Sequence, residues 1–418
     1  MKNIAAIILA AGKGVRMRSA TPKVLHNICG RPMVSYVLDL TRELRLRTTV
    51  AVLGFGSAEV KKILPPGVKA AVQKKLVGTA DAVKVALAQL KGFKGTVLIL
   101  YGDIPLLKKE TLDKLIRHHT YNDLDATILT AQVKNPAGYG RILRDKYSSI
   151  SGIIEDKDAD DVQKAIKEIN TGIICFNKEK LVAALKDVRP DNRKKEYYLT
   201  DIIGLFHKKG YLIESVKIAD INEALGINSR VELALANSIM QRRLNEQYMR
   251  LGVTIIDPAT AFISFGTKIG LDTVIYPFTV IERDVKIGKR CFVGPFAHLR
   301  EGTHLDNDVV AGNFIEITRS SLKAKTLAKH FSYIGDTRIG RNVNIGAGTV
   351  TANFDKGKKN ITVINDGASI GSDTILVAPV TVGRRAVTGA GSVVVKRNIP
   401  DGVTVAGVPA RVLKPKGK

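Results

Sequence analysis

The sequence has no hydrophobic run long enough to cross a membrane. Its longest apolar stretch near the N-terminus, Ile4 to Ala11, falls far short of the roughly 20 residues a spanning helix needs. It also lacks the form of a cleavable secretion signal, because a glycine-rich turn follows it directly. Cysteine is scarce: Cys29, Cys175 and Cys291 lie far apart with no metal-ligand spacing. That excludes a disulfide framework and a zinc cluster, and points to a reducing cytoplasm. Acidic residues are in deficit, 39 against 65 lysines and arginines, for a net charge of +26. Such a charge invites a nucleic-acid reading. The cations are nevertheless scattered, with no long basic tract and no interleaved aromatics, and short clusters such as Arg193-Lys194-Lys195 fall in predicted loops. The charge therefore reads as a favourable field for polyanionic small substrates and an aid to solubility, without nucleic-acid binding.

What the sequence does have is a six-residue period. Ile269, Ile275, Ile281, Ile287, Val293, Leu299, Leu305, Ala311 and Ile317 hold one register, which resumes at Ile339 and Ile345 and again from Ile364 through Ile370, Leu376, Val382, Thr388 and Val394. A small residue often follows four places later. Six matches neither the helical nor the alternating-strand period. It fits a parallel β-helix in which each hexad is one flat wall with its aliphatic residue pointing inward. Each buried aliphatic contributes roughly 1.5–3 kcal/mol, so the column amounts to a core. Two interruptions are expected, one between Ser320 and Ile339 with the slip around Lys329-His330-Phe331, and one loop from Thr351 to Val363. Inserted loops of repeat folds commonly gather on a binding face.

The first part alternates strand and helix: strands at 4–9, 49–53 and 96–100, helices at 32–44, 80–90 and 112–118. Alternation of this kind predicts an α/β, Rossmann-like domain with a largely parallel sheet, whose ligand crevice lies at the carboxyl ends of the strands. The domain is expected to occupy 1–228, a linking helix 229–250, and the β-helix 251–418 with a short basic tail from Arg411.

Directly after the first strand comes Leu9-Ala10-Ala11-Gly12-Lys-Gly14-Val-Arg16. Glycines let backbone N–H groups approach a phosphate, and a following helix N-terminus would favour the anion. Neither the P-loop ending nor the third glycine of the dinucleotide fingerprint is present. Arg16 and Lys23 bring two cations near the turn, as triphosphate charge requires. Asp103, just past a strand end, has the chemistry to hold Mg²⁺, with a turn or helix cap as its plainer role. His330 has an ordinary pKa of about 6.5, which suits a general base near neutrality.

These residues resemble the sugar-1-phosphate nucleotidylyltransferases, and within them the bifunctional uridylyltransferase–acetyltransferases of bacterial cell-wall precursor synthesis. The resemblance runs through ordered blocks, among them Pro22-Lys-Val-Leu-His26, Val77-Gly-Thr79, Tyr101-Gly-Asp103, Gly138-Tyr-Gly-Arg141, Ile154-Glu-Asp-Lys157, Glu168-Ile-Asn-Thr-Gly172, Glu196-Tyr-Tyr-Leu-Thr-Asp201 and Gly226-Ile-Asn-Ser-Arg230. It implies that Leu9, Ala10, Ala11 and Gly12 contact the nucleotide, with Arg16 and Lys23 on its phosphates. It further implies uracil recognition by Gln73, Gly78 and Thr79, sugar contacts from Gly140, Glu155 and Asn170, and Mg²⁺ on Asp103 and Asn228, the latter also touching substrate. The implied reaction is in-line attack of N-acetylglucosamine-1-phosphate on the α-phosphorus of UTP, with little need for a protein base.

In the second half, Gly312-Asn-Phe-Ile-Glu316, His330, Tyr333, Asn344-Ile-Gly-Ala-Gly-Thr349 and Asn353 match the acetyltransferase pattern in order. His330 is then the implied base that frees the glucosamine-1-phosphate amine to attack acetyl-CoA. Arg300, Tyr333, Asn344 and Asn353 would hold the amino-sugar phosphate, and Ala347, Ser372 and Ala390 would line the acetyl-CoA groove between neighbouring subunits of a homotrimer. There are departures: Leu76 replaces a polar residue of the base-binding segment, Thr318 a lysine of the sugar-phosphate site, Phe354 a tyrosine, and Gly407 an arginine near the coenzyme. Arg319, beside Thr318, is a candidate substitute. The solenoid also looks shorter before Gly294 than in the family. Two alternatives stay open, a nucleotidyltransferase whose β-helix is a trimerising scaffold or acts on another amine, and a non-enzymatic trimeric binding scaffold.

Overall fold

The computed structural model describes residues 3–413, so positions 414–418 of the expected basic tail lie outside the described residues. The chain divides into two compact units, with the boundary between Asn237 and Ser238. That boundary falls inside the long helix Arg230–Arg250. Residues of its first part bond within the first unit: Asn237 Oδ1 accepts from the Cys29 amide at 2.8 Å. Residues of its last part bond within the second, where Asn245 donates to the Pro258 and Ala261 carbonyls at 2.9 and 3.0 Å and Tyr248 to the Thr267 carbonyl at 2.8 Å.

The first unit is built on one sheet. Its strand order is Ile213–Lys217, Ala126–Gln132, Glu168–Asn177, Thr96–Tyr101, Ile4–Ala10, Thr48–Leu53 and Val68–Val72. Every residue of Ile4–Ala10 is buried, as a central parallel strand covered on both faces demands. The sheet is less parallel than expected, because Glu168–Asn177 runs antiparallel to both neighbours. That strand also bulges between Asn170 and Ile174. The bulge holds Gly172 at φ +85, where a β-carbon would lie 2.7 Å from the Tyr101 ring, so only glycine lets the strand pass over Tyr101. A small antiparallel flap, Gly140–Arg144 with Ile150–Ile154, extends from the same strand and pairs Gly140 with Asn170.

The second unit is a parallel β-helix. Three sheets run its length, and each short strand stacks in parallel on the one a full coil earlier, as in Ile275↔Val293↔Ala311↔Ala328↔Ile345↔Ile370↔Thr388↔Val405. The hexad aliphatics point inward and are buried, Ile269 only partly. The small residues four places later face inward at the corners, where threonine hydroxyls bond to backbone: Thr273 to Gly288 O at 2.9 Å, Thr303 to Ile317 O at 2.9 Å, Thr326 to Gly340 O at 2.8 Å. A residue three places after the inward aliphatic turns the chain in the left-handed region on coil after coil, Asp272, Arg290, Asp308, Lys325 and Asn342 at one corner, Phe278, Phe296 and Phe314 at another. The three phenylalanines offset that strain by stacking with centroids 4.9 Å apart.

The first expected interruption does not take the form of a slip around Lys329-His330-Phe331. The inward column continues through Leu322, Ala328 and Ile334, all buried, and the single-residue losses fall at the corners before Leu322 and before Ile339. His330 therefore sits at an ordinary corner of the helix. The second interruption is real and structured: Phe354–Asp355 pairs antiparallel with Lys358–Lys359 across a turn whose central residues, Lys356 and Gly357, both have positive φ. The solenoid also runs beyond Ile399, through Thr404–Gly407 to an antiparallel return at Ala410–Val412.

Candidate active sites

In the first unit the parallel strands deliver Ala11-Gly12, Gln73 and Asp103 to the carboxyl edge of the sheet. Leu9, Ala10 and Ala11 are buried in the strand and its exit, while Gly12 is exposed with open space above its Cα. Gly14 takes a left-handed conformation, and a β-carbon there would meet Lys23 Cβ at 2.7 Å, so the glycine lets the loop close on Lys23. No helix of useful length follows. Val15–Met17, which carries the exposed Arg16, is one 3₁₀ turn, and the first α-helix begins only at Met33. The backbone and cations of the loop, rather than a helix terminus, are what this region offers an anion.

Lys23 is the centre of the arrangement. Its ammonium contacts Asp103 Oδ2 and lies 3.1 Å from Asn228 Oδ1. Two oxygens thus converge on one cation. A carboxylate and an amide carbonyl fit a hard ion such as Mg²⁺, which takes few protein ligands and fills its shell with phosphate and water. Among the described residues no group of three or more histidine, cysteine or acidic side chains could hold a metal unaided.

Gln73 is buried, and its Nε2 donates to Gly78 O at 3.1 Å and Asp81 Oδ2 at 2.9 Å. Both amide protons are spent, which leaves Oε1 to accept from a ligand. Gly78 sits at φ +130 with its Cα against Tyr197, where a β-carbon would come within 2.3 Å of the carbonyl. Thr79 Oγ1 accepts from the Leu199 amide at 2.9 Å. Leu76 is exposed in the same segment.

Glu155 follows the last flap strand. Burial pushes its carboxyl above the usual range, against a Thr200 hydroxyl that donates to Oε1 at 3.0 Å. Asn170 Oδ1 accepts from the Gly172 amide at 2.9 Å, and Gly140 faces Asn170 across the register. Tyr101 is partly buried, which pushes its phenol up, and the carboxylates of Glu155 and Asp103 push it further. One ring therefore feels both the carboxylate of the expected sugar side and that of the expected metal side. Three polar residues here were given no role from sequence: Thr200, Asp201 and Arg141. They stand inside quoted blocks, but only the fold shows what they touch.

In the second unit, Arg300 Nη1 donates to Glu316 Oε1 at 2.8 Å, on the face that also carries Tyr333. A β-carbon on Gly335 would lie 2.6 Å from the Tyr333 hydroxyl and 2.7 Å from Asn353 Nδ2, so that glycine lets the two side chains meet. Asn353 is buried and donates to Asp336 Oδ2. Arg319 holds the same carboxylate bidentately at 2.7 and 2.8 Å and gives Nη1 to Thr318 Oγ1 at 2.9 Å. The expected stand-in for the missing lysine is therefore committed to Asp336, whose carboxyl it holds low. Thr318 itself is buried. Asn344 is exposed on a different face, paired with Leu327 and Ser369, so one chain does not bring it to Tyr333 and Asn353.

His330 is exposed and makes no hydrogen bond with the described residues. It stands two places after the inward Ala328. Ala347, Ser372 and Ala390 stand two places after Ile345, Ile370 and Thr388, the next residues of the same stacked column. All four occupy one corner of consecutive coils, and that corner is stitched by Gly348 N to Phe331 O at 2.7 Å, Asp373 N to Ala347 O at 2.6 Å and Gly391 N to Ser372 O at 2.8 Å. Gly407, at φ +96, lies in the terminal return opposite Ala410.

Residues 6–169 match the MobA-like NTP transferase domain, and 266–301 match the bacterial transferase hexapeptide of six repeats. The chain is similar to proteins called bifunctional protein GlmU. That of Thermosipho africanus (strain TCF52B) is 44% identical over 94% of this chain and 92% of the relative, and that of Geobacillus sp. (strain WCH70) 43% over 93% and 92%. The relative from Heliobacterium modesticaldum is 42% identical over 95% of this chain and 94% of its own length.

Proposed function

The chain belongs to the bifunctional GlmU family, and from that premise we propose that it makes UDP-N-acetylglucosamine in two steps. The β-helix transfers acetyl from acetyl-CoA to the amine of glucosamine-1-phosphate, releasing the coenzyme thiol. The first unit then joins the N-acetylglucosamine-1-phosphate to the uridylyl group of UTP, and pyrophosphate leaves.

The observation that carries the first reaction is the convergence of Asp103 and Asn228 on the Lys23 ammonium beside the glycine loop. A bound Mg²⁺ would neutralise phosphate charge and orient the leaving group. Lys23 and Arg16 would take the remaining phosphate oxygens, and Gln73 Oε1 would accept the uracil imide proton, since its amide protons are spent. Gly140, Glu155 and Asn170 would hold the sugar. For the second reaction, His330 would be the base that takes the amine proton, and its position at the head of the corner column Ala347, Ser372 and Ala390, along which acetyl-CoA would lie, supports that role. Arg300, Tyr333 and Asn353 would orient the acceptor. We place the reactions in the cytoplasm on a homotrimer. No helix among the described residues is long and apolar enough to cross a membrane.

A second reading keeps only uridylyl transfer, and one observation favours it: Arg319, committed to Asp336, does not replace the lysine missing at Thr318. A paired assay separates the two. Pyrophosphate from UTP and N-acetylglucosamine-1-phosphate with Mg²⁺, together with free thiol from acetyl-CoA and glucosamine-1-phosphate that disappears in His330→Ala, supports both steps. Pyrophosphate without thiol selects the second reading, and no pyrophosphate rejects both.

A further inference from the structure

Arg141 is among the largest fully buried side chains of the protein, at 1% exposure. Nothing in the proposed chemistry uses it, and burying a guanidinium is costly unless its partners compensate. The compensation is incomplete: Nη2 holds Asp156 Oδ1 at 2.8 Å and Nη1 donates to the Tyr139 carbonyl, but the buried Nε has no partner among the described residues. Packed hydrophobic residues would serve stability at least as well.

Its position suggests what the charge is for. Arg141 lies on the flap strand that is paired on both sides, opposite Ile169 of Glu168–Asn177 on one side and Ile154 of the second flap strand on the other. Its two bonded partners adjoin two of the proposed sugar ligands: Tyr139 precedes Gly140, and Asp156 follows Glu155. The third, Asn170, faces Gly140 across the register. We infer that Arg141 is a positioning residue of the uridylyl site, whose guanidinium ties the Gly140 turn to the Glu155 segment and so fixes the sugar side of the pocket without touching substrate. The inference rests on the proposed uridylyl transfer and adds a specific consequence. Loosening this tie displaces the sugar ligands and leaves Gln73, Lys23 and Asp103 in place, so sugar phosphate suffers and UTP does not.

The test uses the full-length protein, with KM for each substrate, kcat, and calorimetric binding of N-acetylglucosamine-1-phosphate. Arg141→Met should raise KM for the sugar phosphate about tenfold or more, since misplacement on the order of 1 Å can cost a factor of a hundred. KM for UTP should stay within about twofold, and Arg141→Lys, which can restore one of the two bonds, should fall between. Should Arg141→Met fail to fold, Asp156→Asn decides, because the Asp156 side chain is one-third exposed and tolerates the change. A sugar-phosphate KM and affinity unchanged in Asp156→Asn, or a uniform loss for both substrates, overturns the inference while the wild-type activity stands. A wild-type protein that neither binds nor consumes the sugar phosphate overturns the activity and the inference together.

Discussion

The acidic lining beside Glu155 has a stability cost that can be measured. Asp201 opens the helix Asp201–Lys208 and is half-buried. Burial, reinforced by the carboxylates of Glu155, Asp158 and Asp191, pushes its carboxyl up from 3.8 to about 6. At face value a rise of about two units opposes folding by roughly 3 kcal/mol when the group is ionised. Partial exposure screens the charges, which reduces this to about 1–1.5 kcal/mol, and the helix N-terminus returns about 0.3–0.5 kcal/mol of that. Because the folded pKa lies above the unfolded one, the native state holds the proton more tightly between about pH 4 and 6. Stability therefore falls as pH rises through that window, and the full penalty is present at neutral pH. Asp201→Asn removes the titrating charge and should stabilise the first unit by about 1 kcal/mol at pH 7.5, a rise in Tm of about 2–4 °C for a unit of this size. At pH 4 the gain should nearly vanish. Thermal melts of both proteins at the two pH values check this, and a difference in Tm that is equal at both, or that favours wild type at pH 7.5, refutes the electrostatic reading.

Asp103→Asn should reduce uridylyl transfer by about a hundredfold or more, since charge stabilisation by a positioned ligand commonly has that worth; thiol release in the same preparation should be unchanged. Gly312→Ala would place a β-carbon 2.0 Å from the Lys329 carbonyl, so the corner presenting His330 must move. Acetyl transfer should drop at least about tenfold, while pyrophosphate release persists. Ile281→Ala, at a fully buried hexad position, should cost about 2–5 kcal/mol and lower the unfolding transition of the solenoid.

The hexad column was legible because a β-helix needs one inward aliphatic per wall, and the eye finds a fixed period easily. Its finer registration was not. Where a corner is one residue shorter, the column continues through Leu322, Ala328 and Ile334 in a new phase, which a strict period of six reads as a break. The shared corner of His330, Ala347, Ser372 and Ala390 emerges only once the coils stack. In the first unit the glycine loop and Asp103 announced themselves by following strands, but the helix expected after the loop is a single 3₁₀ turn. Lys23, distant in sequence from both Asp103 and Asn228, joins them only in the fold. Asn344 and Arg319 matched or adjoined family positions by order alone. Order says nothing of which face a strand presents, nor of a carboxylate such as Asp336 that claims a guanidinium first.

In the proposed scheme, two sites on one chain act in sequence on an amino-sugar phosphate. The most direct measurement supplies purified protein with glucosamine-1-phosphate, acetyl-CoA, UTP and Mg²⁺ and follows UDP-N-acetylglucosamine by mass spectrometry. Product that requires all of these, that is lost in His330→Ala and that returns when N-acetylglucosamine-1-phosphate replaces glucosamine-1-phosphate is the predicted result. Product that never forms from glucosamine-1-phosphate, or that forms equally well in His330→Ala, would contradict it.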